Sequence, residues 1–167
     1  MTHEGHELKE IDFAIITVSD TRKKENDLSG KKAIELIEGA GYRVIMYEIV
    51  RDDSMELPAV FSSALEKADV IFFTGGTGVT SRDITIEVIK PMLKRQIPGF
   101  GELFRYKSFE QIGARAMLSS ACAGTANRGD GETAVVFCVP GSPGAVETAL
   151  RDIILPAVGH ILWEARR

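Results

Sequence analysis

Three glycines and two threonines fall within the stretch Thr74-Gly75-Gly76-Thr77-Gly78, and an aspartate, Asp83, follows shortly after. Glycine at this density lets the backbone turn sharply and bring a ligand against bare N–H groups. A phosphate is the ligand such a turn suits best when a helix begins behind it. A carboxylate at the same place repels phosphates unless a cation lies between them, so the grouping calls for a magnesium–nucleotide complex. Three further clusters combine small and acidic residues: Ser19-Asp20, Asp52-Asp53 and Gly141-Ser142. Brought together, glycine turns, hydroxyls and carboxylates suit a polyphosphate with a divalent metal.

Each cluster stands at the end of an apolar run. Residues 13–18 and 70–73 are apolar or β-branched on both faces and too short for helices, so they read as buried strands. Residues 42–50 read as another strand, ending at Arg51-Asp52-Asp53. Ser29 reads as the N-cap of a helix carrying Ala33, Leu36, Ile37 and Ala40. Asp53 or Ser54 caps a second, with Leu57, Val60, Phe61 and Ala64 on one face. Thr80 or Ser81 caps a third that starts straight after the glycine turn, carries Ile84, Val88 and Met92, and is kinked or ended by Pro91. The order β-α-β-α-β-α with short connections predicts a three-layer α/β/α fold around a mostly parallel sheet. In such a sheet the carboxyl ends of the strands line the ligand crevice, so the four clusters converge.

Beyond Met92 the pattern loosens. Ile97-Pro98-Gly99-Phe100-Gly101 reads as a loop, and residues 102–115 hold helical pieces. Residues 121–126 and 133–139 flank Asn127-Arg128-Gly129-Asp130-Gly131 as a hairpin, which places one antiparallel strand near an edge. If the hairpin turns about Asp130, Cys122 and Cys138 face each other across it. A closing helical region follows over residues 145–163, broken near Pro156. Residues 1–10 carry no pattern and read as a flexible N-terminal tail, leaving residues 11–167 as one domain.

Composition narrows the function classes. The chain has 167 residues, 44% of them apolar, enough for a single full core. A net charge of −4 with dispersed lysines and arginines argues against a nucleic acid or an anionic membrane as partner. No apolar run approaches the ~20 residues of a membrane span, and no signal-peptide pattern precedes Phe13, so a cytoplasmic protein is expected. Two cysteines without a CxxC pair, and His3, His6 and His160 near the termini, disfavour zinc. The thiols read as free, buried small hydrophobes.

Each cluster by itself has a plainer meaning. Gly76-x-Gly78 is no dinucleotide fingerprint, because Ser81 stands where the third glycine belongs, and no Gly-Lys-Ser/Thr marks a Walker loop. Asp83 taken alone is more often an acid complementing a helix dipole, and Asp52 and Asp53 are more often caps. Their shared placement at strand ends is what favours a site.

As a set, these residues carry a resemblance. Thr17-Val18-Ser19-Asp20, Asp27-x-Ser29-Gly30, Thr74-Gly75-Gly76-Thr77-Gly78-x-x-x-Arg82-Asp83, Pro98-Gly99-Phe100-Gly101-Glu102 and Pro140-Gly141-Ser142-Pro143 resemble the MoaB/MogA family of molybdenum-cofactor biosynthesis, the MoaB branch most. The likeness spans residues 13–163. It implies adenylylation of molybdopterin with ATP as co-substrate and Mg2+ as cofactor, releasing pyrophosphate and priming the pterin for a downstream metal-insertion protein. It also implies a homo-oligomer, a trimer or a hexamer, and residues such as Phe137, Ile154 and Ile161 are expected to be left uncovered by one domain. Carried over by residue, Asp52 and Asp83 match the catalytic acidic pair, acting through magnesium. Gly75, Gly76, Thr77 and Gly78 match the nucleotide loop, with Gly141 and Ser142 on the opposite lip. Ser19 and Asp20 match the pterin side, and Glu102 matches a loop that closes the site. One departure is Leu118-Ser119-Ser120, where many relatives have Leu-Ser-Arg and an arginine to hold a phosphate. Two other classes stay open: a molybdopterin-binding or carrier module without chemistry, and a dinucleotide-binding oxidoreductase, which the missing third glycine disfavours.

Overall fold

A computed structural model describes residues 6–167. Six strands make one sheet: β1 (Asp12–Val18), β2 (Arg43–Val50), β3 (Val70–Thr74), β4 (Arg95–Gln96), β5 (Cys122–Asn127) and β6 (Thr133–Val139), in the spatial order β2-β1-β3-β6-β5-β4. β2, β1, β3 and β6 run parallel, whereas β5 is antiparallel to both β6 and the short edge strand β4. The central strands β1, β3 and β6 are covered above and below, which is why their sequences are apolar without alternation. The expected antiparallel strand is β5, next to the edge; β4 is too short to show a period in the sequence.

Pleating sends alternate residues to two separate cores. Phe13 and Ile15 of β1, Phe72 of β3 and Phe137 of β6 pack in one cluster with α1 (Leu28–Gly39), α4 (Pro98–Ile112), α5 (Pro143–Glu147) and α6 (Val158–Ala165). Ala14, Ile16, Ile71, Phe73 and Cys138 pack in the other with α2 (Glu56–Leu65) and α3 (Thr85–Ile89). The result is the three-layer α/β/α arrangement. Phe137 and Ile154, expected to be uncovered, are buried within it, and Ile161 is partly buried. Exposed apolar surface lies instead on one face of α4, at Leu103, Tyr106, Phe109 and Ile112.

Three local expectations are corrected and one is settled between its two alternatives. The cap of α1 is Asp27, which accepts from the Gly30 N–H at 3.0 Å, because the Ser29 hydroxyl is turned away to Gly141 O. At α2, Asp53 takes the Met55 and Glu56 N–H groups at 2.8 and 3.0 Å, and Ser54 caps nothing. The helix after the glycine turn does not start at Thr80 or Ser81. α3 begins at Thr85 and lasts five residues before a 3-10 turn at Lys90–Met92 containing Pro91. Finally, Pro98 to Gly101 is not a loop but the first turn of α4, where proline's missing N–H costs nothing. Gly101 is required there, since a Cβ would stand 2.7 Å from Ala121 O.

The end of the sheet away from the strands' carboxyl ends is tied by ion pairs. Asp69 accepts from Arg128 at 2.7 Å, from Arg166 at 2.6 Å and from the Asp12 N–H at 2.9 Å. Within the expected tail, the Leu8 N–H donates to Gly159 O at 3.2 Å and the His6 ring stacks on Trp163. His3 lies outside the described residues. The closing region breaks at Pro156, after a π-helical turn at Thr148–Ile154. Among the described residues no helix is long and apolar enough to cross a membrane.

Candidate functional site

The glycine turn is built by the ends of two neighbouring strands. The Thr74 hydroxyl donates to Pro140 O at 3.0 Å and the Gly75 N–H to Val139 O at 3.0 Å, so β3 and β6 end side by side. Thr85 closes the loop from its far side, its N–H reaching Gly76 O and its hydroxyl Gly75 O, both at 2.9 Å. Gly75 and Gly76 have φ of +107° and +66°, a region that favours glycine. Space demands glycine as well. A Cβ on Gly75 would collide with Val18 O, one on Gly76 would lie 2.6 Å from Asp52 Oδ2, and one on Gly78 would lie 2.6 Å from Asp83 Oδ2.

Both carboxylates of the expected acidic pair therefore sit against the same loop, although 31 positions separate them in sequence. Asp52 Oδ1 accepts from the Ile84 N–H at 3.3 Å, and the Asp52 N–H donates to Asp20 Oδ1 at 3.2 Å. Burial raises the Asp52 pKa above its ordinary value; the Ile84 hydrogen bond opposes this, and the charges of Asp83, Asp20 and Glu87 add to it. Asp83 Oδ2 accepts from the Thr80 N–H at 3.0 Å and its hydroxyl at 2.6 Å. Asp83 precedes a helix of only five residues, so it is no first-turn acid of a long dipole.

These groups fit a cation and an anion bound together. Asp52 is destabilised as an anion first by burial and then by the charges of Asp83, Asp20 and Glu87, and a nearby positive charge would oppose both. The Thr77 hydroxyl is buried, in a residue 2% exposed that lines the crevice, and has no hydrogen-bond partner among the described residues. Among the described residues no group of three or more His, Cys, Asp or Glu side chains could hold a metal alone. Magnesium needs no such cage, since it is commonly bound by one or two carboxylates plus substrate phosphates.

The crevice itself has a volume of about 380 Å³. It is lined by Ser19, Gly75, Gly76, Thr77, Gly78, Asp83 and Gly141, all expected from sequence, together with Arg22, which was not. Arg22 is its basic lining residue. Its guanidinium donates to Gly141 O at 2.9 Å and to Ser29 Oγ at 3.3 Å, and lies 3.7 Å from Asp27 Oδ1. Asp27 is fully buried and held by the Thr17 hydroxyl at 2.7 Å and by the Tyr47 hydroxyl. Burial, then the hydrogen bond to Asp27, pushes the Tyr47 pKa far above its ordinary value, so it remains a donor. A signal that could have pointed to Arg22 was its place in the loop after Ser19-Asp20, three residues from the Ser19 hydroxyl that accepts its N–H at 3.1 Å.

Four expected residues are not in this lining: Asp52, which packs against Gly76 from outside it, and Asp20, Ser142 and Glu102. Asp20 flanks Asp52 but lines a neighbouring hollow with Lys23, Lys24 and Arg51. The Ser142 hydroxyl caps α5, accepting from the Ala145 N–H at 3.1 Å, and borders a separate cavity of about 130 Å³ with Ser119 and Gln111. Glu102 is exposed on α4, not on a closing loop, and lines a cavity with Lys90 and Arg105 beside β5.

A family model described as a probable molybdopterin binding domain matches residues 14–160. A molybdenum cofactor biosynthesis protein B from Bacillus cereus is 46% identical over 168 residues, which cover 99% of this chain and 96% of that protein. The chain belongs to the MoaB family of molybdenum cofactor biosynthesis. Another MoaB relative, from Bacillus subtilis, is 42% identical over 156 residues, 92% of this chain and 89% of that one. The crystal structure of the tungsten cofactor synthesizing protein MoaB from Pyrococcus furiosus matches with a TM-score of 0.85 at 44% identity, covering 96% of this chain and 99% of that one. The six-stranded, mostly parallel sheet with an antiparallel pair is thus the MoaB fold.

Proposed function

We propose that this MoaB-family protein is a molybdopterin adenylyltransferase, a nucleotidyltransferase that joins AMP from ATP to the terminal phosphate of molybdopterin. The observation that carries this reading is that Asp52 and Asp83 sit against Gly76 and Gly78 of one loop, which together with Asp83 lines a crevice whose basic residue is Arg22. In the reaction a phosphate oxygen of the pterin attacks the α-phosphorus of ATP. The bond to the bridging oxygen breaks, and pyrophosphate leaves with its electron pair. The attacking phosphate is already ionised at neutral pH, so the site needs no general base, and its lining contains no histidine.

What the protein supplies is position and charge. The loop at residues 76–78 lets phosphate oxygens approach backbone unhindered by side chains. The partnerless Thr77 hydroxyl gives them a donor. Arg22, steadied by Gly141 O and the Asp27 carboxylate, offers the positive charge on the opposite wall, compensating in part for the missing arginine at Ser120. Asp52 and Asp83 are the residues that would hold magnesium, which when bound neutralises phosphate charge. In this reading the product passes to a metal-insertion protein in the cytoplasm. The test is α-labelled ATP with molybdopterin and magnesium, scored for labelled adenylyl-pterin and for pyrophosphate. Pterin binding without transfer would make the protein a carrier instead.

A further inference from the structure

Outside the crevice, the register of the hairpin sets Cys122 of β5 directly opposite Cys138 of β6. Directly opposed residues of antiparallel neighbours point to the same face, with Cα atoms about 4.5–5.5 Å apart. That separation lies inside the range a disulfide spans. Both side chains belong to the same core cluster, and both thiols are free. Their surroundings differ. Cys138 is fully buried, whereas Cys122 is partly exposed in the wall of a cavity of about 200 Å³ that also has Lys90, Glu102 and Arg105 in its lining.

The two thiols are also unequal acids. A hydrogen bond from Cys138 lowers the Cys122 pKa, with help from the charge of Lys90 and against the effect of burial. The same hydrogen bond, then burial, raises the pKa of Cys138. The thiol that can be reached is therefore the better thiolate, and the one behind it holds its proton.

We infer that Cys122 and Cys138 are a reversible dithiol–disulfide pair, with Cys122 the site of attack on peroxides and Cys138 the resolving thiol. The Cys122 thiolate attacks one peroxide oxygen, the O–O bond breaks, and the departing hydroxide takes a proton to become water. Cys122 is left as a sulfenic acid. Cys138 sulfur then attacks the Cys122 sulfur, the S–O bond breaks, and a second water leaves with the Cys138 proton. Two electrons pass from the two sulfurs to hydrogen peroxide, and a reduced thiol such as dithiothreitol returns them. This pairing rests on strand register and cavity access and is independent of adenylyl transfer.

The test treats the full-length protein with a slight excess of hydrogen peroxide and reads intact mass and thiol titre after denaturation. The expected result is a loss of about 2 Da, no titratable thiol, no covalent dimer, and full recovery with dithiothreitol. In Cys138→Ser the reaction should stop at a sulfenic acid on Cys122 that dimedone traps. In Cys122→Ser, peroxide consumption should slow by roughly tenfold or more. The wild-type measurement stands even if a variant fails to fold. Two thiols surviving peroxide, a disulfide between chains, or Cys122 over-oxidised with Cys138 still reduced would each overturn the inference.

Discussion

Asp52 and Gly76 share one volume: a methyl group on Gly76 would stand 2.6 Å from Asp52 Oδ2, and the Gly76 backbone, at φ +66°, already excludes most side chains. The Asp52 carboxylate and the glycine loop are thereby packed directly against each other.

Gly76→Ala should consequently lose both stability and activity. A strained αL alanine costs on the order of 1–3 kcal/mol, and its Cβ would push on both the Thr85 hydroxyl and the Asp52 carboxylate beside the loop. Gly129→Ala, where a Cβ meets nothing within 4 Å, is the control and should be near neutral. Denaturant unfolding and the adenylylation assay on both variants measure this, and equal behaviour of the two would separate Asp52 from the loop.

Asp83→Asn tests the second carboxylate. No long helix follows Asp83, so a dipole role is gone, and its structural part is the hydrogen bonding to Thr80. That part predicts a loss of about 1–3 kcal/mol in stability at most. The metal-holding role predicts that adenylylation falls by roughly 100-fold, about 2.7 kcal/mol, while pterin binding persists. Asp52→Asn should match it, and the double variant should lose less than the sum, since both serve one ion. Turnover within a few-fold of the parent would return Asp83 to a loop-closing residue.

The raised pKa of Asp52 sets the sign of a pH effect. Between its unfolded value near 3.8 and its higher folded value, the folded protein binds more protons than the unfolded one. Stability from this group therefore falls as pH rises through that window, and the penalty is fully present at neutral pH. Asp52→Asn should raise the thermal midpoint at pH 7 while lowering activity. Magnesium with a non-hydrolysable ATP analogue should stabilise the parent and not this variant. A thermal-shift series across pH, with and without the metal and nucleotide, reads both, and a less stable variant at pH 7 would contradict the sign.

Assembly should depend on α4. Leu103, Tyr106 and Phe109 are 54%, 64% and 60% exposed on one helical face, while Phe100 and Phe104 fill the core from the other. A helix apolar on both sides has a second apolar surface to cover. Light scattering should give a multiple of three chains at micromolar concentration, and Phe109→Glu should shift it to smaller species with the fold retained by circular dichroism. A parent protein that stays monomeric would remove the trimer and hexamer alike.

What the sequence determined by itself was mainly where the strands and turns fall. Apolar runs bounded by glycine and acid defined β1, β3 and β6 nearly to the residue, because strands covered on both faces need continuous apolar chemistry, and β2, partly exposed at the sheet's edge, was read to within one residue. The parallel order followed from short helical connections, and the hairpin, with Cys122 opposite Cys138, followed from counting outward from the turn. Glycines at positions 75, 76 and 78 announced a special backbone. What only the tertiary structure decided was which loops meet. Asp52 reaches Gly76, and Arg22 reaches Gly141, across 119 positions, because β1, β3 and β6 end side by side. Ser142 and Glu102 carried the right chemistry, but the cap of α5 and the first turns of α4 turned them elsewhere. Local pattern reports the burial each residue needs; which groups converge depends on the packing of distant segments, and that is fixed only when the sheet is assembled.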